Sequence, residues 1–130
     1  MDFNVSLKMS SWTPITEGEI WDLINSAWER MSIPQRRIWE VIRIDPAKWR
    51  EETYGTLGGG FWVVAIYGQT VIWYNDIEHG FNHSHWSTVG TIDGYWCNQS
   101  ALHEAIGDSI DSLAKGPPTG GRVGPPQPLS

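Results

Sequence analysis

Apolar positions recur along this chain with two different periods, and the change between them falls at the glycine run 58–60. Before it, Ile20, Ile24, Ala27, Trp28 and Met31 are spaced as on one side of a helix. Thr16 followed by Glu19 reads as a capping box that starts this helix, and Glu17, Asp22 and Glu29 fall toward water. Ser32-Ile33-Pro34 interrupts the pattern. Because proline is tolerated in a first turn, a second helix is predicted from Pro34 to about Arg43, burying Ile38, Val41 and Ile42. Asp45-Pro46 repeats the start signal and predicts a short third helical segment carrying Trp49, ending before Tyr54 and Gly55.

After the glycines the residues become β-branched and aromatic. Phe61–Tyr67 and the run from Thr70 read as two strands joined by Gly68-Gln69, where a first-position glycine suits a type II′ turn. That register opposes Tyr67 to Thr70 and Val64 to Trp73. It puts Trp62, Val64, Ile66, Val71 and Trp73 on one face and Phe61, Val63, Ala65, Ile72 and Tyr74 on the other. Both faces are apolar, so the hairpin is expected at the centre of a covered sheet. Further strands are expected around 81–88 and 90–92, with Asp93-Gly94 as a turn. A last helix, capped by Asn98 or Ser100, should bury Leu102, Ile106, Ile110 and Leu113 and stop at Gly116-Pro117. The alternation Phe3, Val5, Leu7 suggests an edge strand near the start.

The fold class predicted is α+β: N-terminal helices and a C-terminal helix packed on a small antiparallel sheet built around a 61–67/70–76 hairpin. Residues 1–115 are expected to form one domain, and 116–130, with five prolines and four glycines, a flexible tail. At 130 residues there is room for one core, and nine tryptophans supply much of it. The one cysteine, Cys97, has no partner for a disulfide, which fits a reducing, cytoplasmic location. No signal-peptide pattern opens the chain, and no apolar run nears the roughly 20 residues of a membrane span.

A net charge of -6 works against phosphate backbones, so no nucleic acid is expected as a partner. The charge is unevenly placed. Arg30, Arg36, Arg37, Arg43, Lys48 and Arg50 cluster in the first half, read as solvated helix faces with local ion pairs. Between Glu51 and Ala114 there is no lysine or arginine, against eight carboxylates and most of the aromatic residues.

Within that stretch, residues 75–86 hold three histidines and two acids. His83 and His85 alternate on a strand and share a face, so His79, His83 and His85 are candidate zinc ligands, although no H-E-x-x-H pattern accompanies them. Cys97 with His103 or His83 is a weak nucleophile and base pairing, lacking the nearby cations that activate a thiol. The triple glycine lacks the G-K-[ST] of a phosphate loop and precedes a strand, so it reads as a connector. Asp76 and Glu78 share a side of an extended segment. Flanked by Trp73, Tyr74, Phe81 and Trp86, they have the composition of a binding hot spot that meets arginine or lysine on a partner.

A hairpin ending Trp73-Tyr74-Asn75-Asp76-Ile77-Glu78, then Gly80-Phe81, a polar strand and a helix from about Ser100 to Leu113 resembles the small immunity proteins encoded beside bacterial polymorphic toxins. The likeness spans about residues 60–113. It implies a protein without catalysis of its own that covers the active site of a cognate toxin or other basic protein domain. The docking surface expected here comprises Trp73, Tyr74, Asn75, Asp76, Glu78, His79, Phe81, Asn82, His85, Trp86 and Asp93, with no cofactor and no catalytic residue. The competing expectation is a small metal-dependent hydrolase using the loop 79–85, marked by a deep pocket joining His79, His83, His85 and Asp76.

Overall fold

The structure, a computed structural model, describes residues 12–115. The expected early edge strand and the Pro/Gly-rich tail lie outside them. Helix α1 (Glu17–Arg30) begins at the Thr16–Glu19 capping box, and α2 (Ile33–Ile42) begins at a second one made by Ser32 and Gln35. Strands β1 (Arg43–Trp49), β2 (Phe61–Tyr67), β3 (Thr70–Asn75) and β4 (Gly80–His85) form an antiparallel sheet in chain order, and α3 spans Leu102–Lys115. The α+β class is as predicted. Among the described residues no helix is long and apolar enough to cross a membrane.

The predicted third helical segment is strand β1. Local start signals at Asp45-Pro46 lose to pairing with the open edge of β2, whose apolar backbone would otherwise lie unpaired. Ala47, Lys48 and Trp49 oppose Val63, Trp62 and Phe61, and the irregularity between Arg43 and Ala47 accommodates Pro46, which has no N–H to donate. Gly60 turns the chain into β2 at φ 103°, where any Cβ would collide with the Trp49 carbonyl.

The β2–β3 hairpin opposes Tyr67 to Thr70 as expected, but Val63, not Val64, faces Trp73. A bulge between Val63 and Ala65 inserts one residue and re-phases the alternation. Val64 and Ala65 therefore both join the helix-side core with Ile72, Tyr74 and Phe81, while Phe61 and Val63 join Val71 and Trp73 on the opposite side.

All three helices cover the first face, contributing Ile20, Ile24, Ala27, Trp39, Ile42, Leu102, Ala105 and Ile106. In α2 the inward residues are Trp39 and Ile42, and Val41, expected inside, is 81% exposed. Leu113, also expected inside, is exposed, and Ile110 is half-buried. The second face is covered by irregular chain, from which Tyr54, Ile77, Ile92 and Tyr95 close over Trp49, Phe61 and Trp73. Ring centroids 4.7 Å apart for Phe61 and Trp73 and 4.6 Å for Tyr54 and Tyr95 make this an aromatic core. The expected strand at 90–92 reduces to a bridge, with Ile92 donating to the Arg50 carbonyl and Thr91 opposite Arg50.

Candidate functional site

The turn from β3 to β4 is built by one side chain. Asn75 is fully buried; its Oδ1 accepts the N–H groups of Ile77 (3.0 Å) and Glu78 (3.1 Å), and its Nδ2 donates to the Trp96 carbonyl (2.9 Å). This Asx turn drives Ile77 into the aromatic core and leaves His79 at the apex in the left-handed region, φ 60°. Gly80 follows, where the backbone of Asn98 and Gln99 passes too close for a Cβ.

Asp76 is carried under residues 12–15. Its Oδ2 accepts the Ile15 N–H at 2.8 Å, while the Ile15 carbonyl accepts the Trp62 indole N–H at 3.0 Å. Asp76 is only 6% exposed, and its Oδ1 and the indole N–H of Trp12 fall short of hydrogen-bond geometry, although the indole is near enough to favour the charged carboxylate. Burial pushes the Asp76 carboxyl above its ordinary value, outweighing the opposing effects of the Ile15 N–H, the Trp12 indole and the more distant Lys48 charge. Tyr74 is raised as well, by burial first and then by the charges of Asp76 and Glu19.

Three adjoining clefts, of about 250, 370 and 510 Å³, open around His79, which lines all of them. The smallest lies between Trp12 and the turn and includes Asp76, Glu78 and Gln99. The second runs between α1 and the start of α3, with Arg30, Tyr74, Phe81 and Glu104. The third runs along α1 with Glu19, Asp22, Tyr74 and Asp76. Five carboxylates thus surround the turn, and Arg30 is the one arginine or lysine lining these clefts among the described residues. Within α3, Asp108 is raised by partial burial first and then by Asp111 and Glu104.

The expected single docking surface divides. Tyr74, Asp76, Glu78, His79 and Phe81 belong to the turn and its clefts. Trp73, Asn75 and Asn82 are interior residues and cannot meet a partner: the Trp73 indole donates to Ser84 Oγ, and Ser84 passes the bond on to the Gly94 carbonyl. Asn82 takes the Asn98 N–H and donates to the Asn98 and Gly80 carbonyls. Together Asn75 and Asn82 fasten the irregular segment 94–99 to the sheet, satisfying backbone groups that no strand pairs. Phe81 is 97% covered and its ring packs on Tyr74, so it forms a cleft floor and not an outward anchor.

His85, Trp86 and Asp93 sit at the far end of β4. His85 bonds Asp93 at 3.1 Å and Gln69 at 3.3 Å, Ser87 donates to Asp93, and the Trp86 indole donates to the Gly68 carbonyl. Six residues of extended chain, about 20 Å, separate His79 from His85. His83 bonds Ser109 of α3. The three histidines therefore do not converge, His83 and His85 line none of the three clefts, and no group of three His, Cys, Asp or Glu among the described residues is arranged to hold a metal ion. Cys97 packs against the aromatic core, across the sheet from His83.

Trp12, Glu19, Asp22, Gln99 and Glu104 were not foreseen as site residues. The only sequence signal for the α1 acids was their spacing: Glu19 and Asp22 lie three apart, on one helical side with Leu23 and Ser26. Scans of known protein families, characterised proteins and solved structures find no match to the chain.

Proposed function

We propose that this chain is an immunity-type binding protein of the cytoplasm, which neutralises a cognate toxin or other basic protein domain by laying its acidic tip over that domain's active site. One observation supports this above the rest: three contiguous clefts around His79 bring Glu19, Asp22, Asp76, Glu78 and Glu104 together with a single arginine among the described residues. Such a concentration of one sign raises the encounter rate with a basic surface and suppresses wrong partners. The aromatic residues act differently from the sequence expectation. Trp12, Tyr74 and Phe81 line the clefts, while Phe61, Trp73 and Tyr95 pack with Ile77 in the core behind the turn, so less conformational freedom is lost on docking.

Because Asp76 is interior, charge reversal there would disturb the fold, and the test belongs on the exposed rim. Asp22→Lys and Glu78→Lys are combined in a chain co-expressed with the toxin domain encoded beside it. The reading predicts loss of protection and of complex formation with an unchanged circular dichroism spectrum and melting temperature. Full protection by this folded variant refutes it. Association of the unaltered protein should also slow steeply as salt rises.

A further inference from the structure

We infer that residues 12–15 form a strap hinged before Thr16, which lies shut over Asp76 when that carboxyl is protonated and lifts from it when the group is charged. The device is built from groups of this chain alone and needs no partner to work.

Trp12 and Thr13 wall the cleft of about 250 Å³, Thr13, Pro14 and Ile15 wall the one of about 510 Å³, and Asp76 and His79 line both. The strap thus covers the Asp76 side chain, which is interior although Glu78 and His79 beside it reach solvent. The Ile15 N–H donates to Asp76 Oδ2 at 2.8 Å, and the Trp62 indole donates to the Ile15 carbonyl at 3.0 Å. At the other end the Trp12 ring lies 5.8 Å from that of Phe61, over Gly58, where a Cβ would strike the indole. Pro14, between these points, has no N–H to tie down.

Helix α1 does not depend on the strap for its start. The Thr16 N–H donates to Glu19 Oε1 and the Glu19 N–H to Thr16 Oγ1, with Thr16 itself extended at φ -80° and ψ 163°. A swing at the Ile15–Thr16 junction therefore leaves the first turn capped.

Desolvation sets the direction. Under the shut strap the carboxylate has one full hydrogen bond, from Ile15, and little water; with the strap lifted it is solvated. Burial outweighs the Ile15 bond, the nearby Trp12 indole and the Lys48 charge, so the shut form holds the Asp76 proton more tightly than the lifted form. By linkage, losing that proton as pH rises favours opening. Around Asp76 in the same clefts stand Glu78 and His79 from the turn, Tyr74 from β3, and Glu19 and Asp22 from α1. Opening adds a carboxylate to the face that already carries Glu19, Asp22 and Glu78, which on the proposed function is the face a basic domain meets.

Hydrogen exchange of the full ¹⁵N-labelled chain, followed by NMR from about pH 5 to about pH 8, tests the strap. The Ile15 amide is freed when the strap lifts, whereas the Ile20 amide, bonded to the Thr16 carbonyl, reports on the helix start. After correction for the intrinsic rate, Ile15 protection should fall at least about threefold across the Asp76 titration while Ile20 protection holds. In Asp76→Asn the side-chain oxygen still accepts the Ile15 N–H, and Glu19, Asp22, Glu78 and His79 are unchanged. Ile15 protection there should be independent of pH and, on the alkaline side, at least about threefold above that of the unaltered chain. Trp12→Ala, which removes the wedge against Phe61, should lower Ile15 protection at every pH and leave Ile20 unmoved. Ile15 protection that is constant with pH, that falls equally in Asp76→Asn, or that matches the buried amides of β2 overturns the inference. None of these results touches the rim-reversal experiment, so the strap and the inhibitor reading fail separately.

Discussion

Two buried carboxylates, Glu51 and Asp76, show how differently this protein treats the same group. Glu51 is 2% exposed and accepts the N–H groups of Thr53, Tyr54 and Gly55 at 2.7–2.9 Å, organising the turn that leads to the Gly55–Gly58 3-10 helix. Asp76 is 6% exposed and accepts one N–H from the facing segment at full hydrogen-bond geometry, with the Trp12 indole only near its other oxygen. A buried acceptor left unmade costs about 1–3 kcal/mol. The acid that serves the fold is saturated from within. The acid at the tip is less completely bonded, and the clefts beside it are lined by other acids.

The largest expected effect comes from breaking the saturated member. Glu51→Ala orphans three backbone donors at once and should lower the unfolding free energy by about 3 kcal/mol or more, measured by urea denaturation. A loss below about 1 kcal/mol would mean that water readily replaces the carboxylate.

Asp76→Asn should act in the opposite direction. The asparagine oxygen still accepts the Ile15 N–H, and the buried charge is gone, so stability at neutral pH should rise by on the order of 1 kcal/mol. The sign follows from linkage. With the folded carboxyl raised above its unfolded value, the native state binds more protons between the two values, and stability falls as pH rises through that window. Asp108 contributes a slope of the same sign, in the unaltered protein and the variant alike. The difference between their pH–stability curves therefore isolates Asp76, and parallel curves would remove it from the comparison.

The smallest effect concerns the apex. His79 occupies a left-handed conformation that glycine adopts without steric cost. His79→Gly should stabilise by about 0.5–1 kcal/mol in the same assay. A loss instead would show that the ring's packing outweighs its backbone strain.

Much of the frame was legible because its signals are local. The Thr16–Glu19 box, the Ser32-Ile33-Pro34 break and the Gly68-Gln69 turn each act over four residues or fewer, and each lies where the pattern put it. What escaped was decided across the sheet. β1 exists because β2 offers an unpaired edge, and the bulge at Val64 leaves no mark in a run of uniformly apolar residues. At the site, Asp76, Glu78 and His79 stood out as polar residues in a turn. Their neighbours Glu19 and Asp22 come from more than 50 residues earlier and are brought there by α1 packing on Tyr74 and Phe81. Trp73, Asn75 and Asn82 were expected outside because acids and aromatics alternate there. Asparagine can equally face inward where an irregular segment needs its backbone satisfied.

The account turns on a basic domain docking over the acidic tip, where Asp76 would sense its charge. The titration of Asp76 can be followed by ¹³C NMR of the side-chain carboxyl, in the free chain and in complex with the basic domain. The account predicts a value above the ordinary one in the free protein and a lower one in the complex, because cations laid over the tip favour the charged form. A titration that stays raised in the complex, or an ordinary value in the free chain, contradicts it.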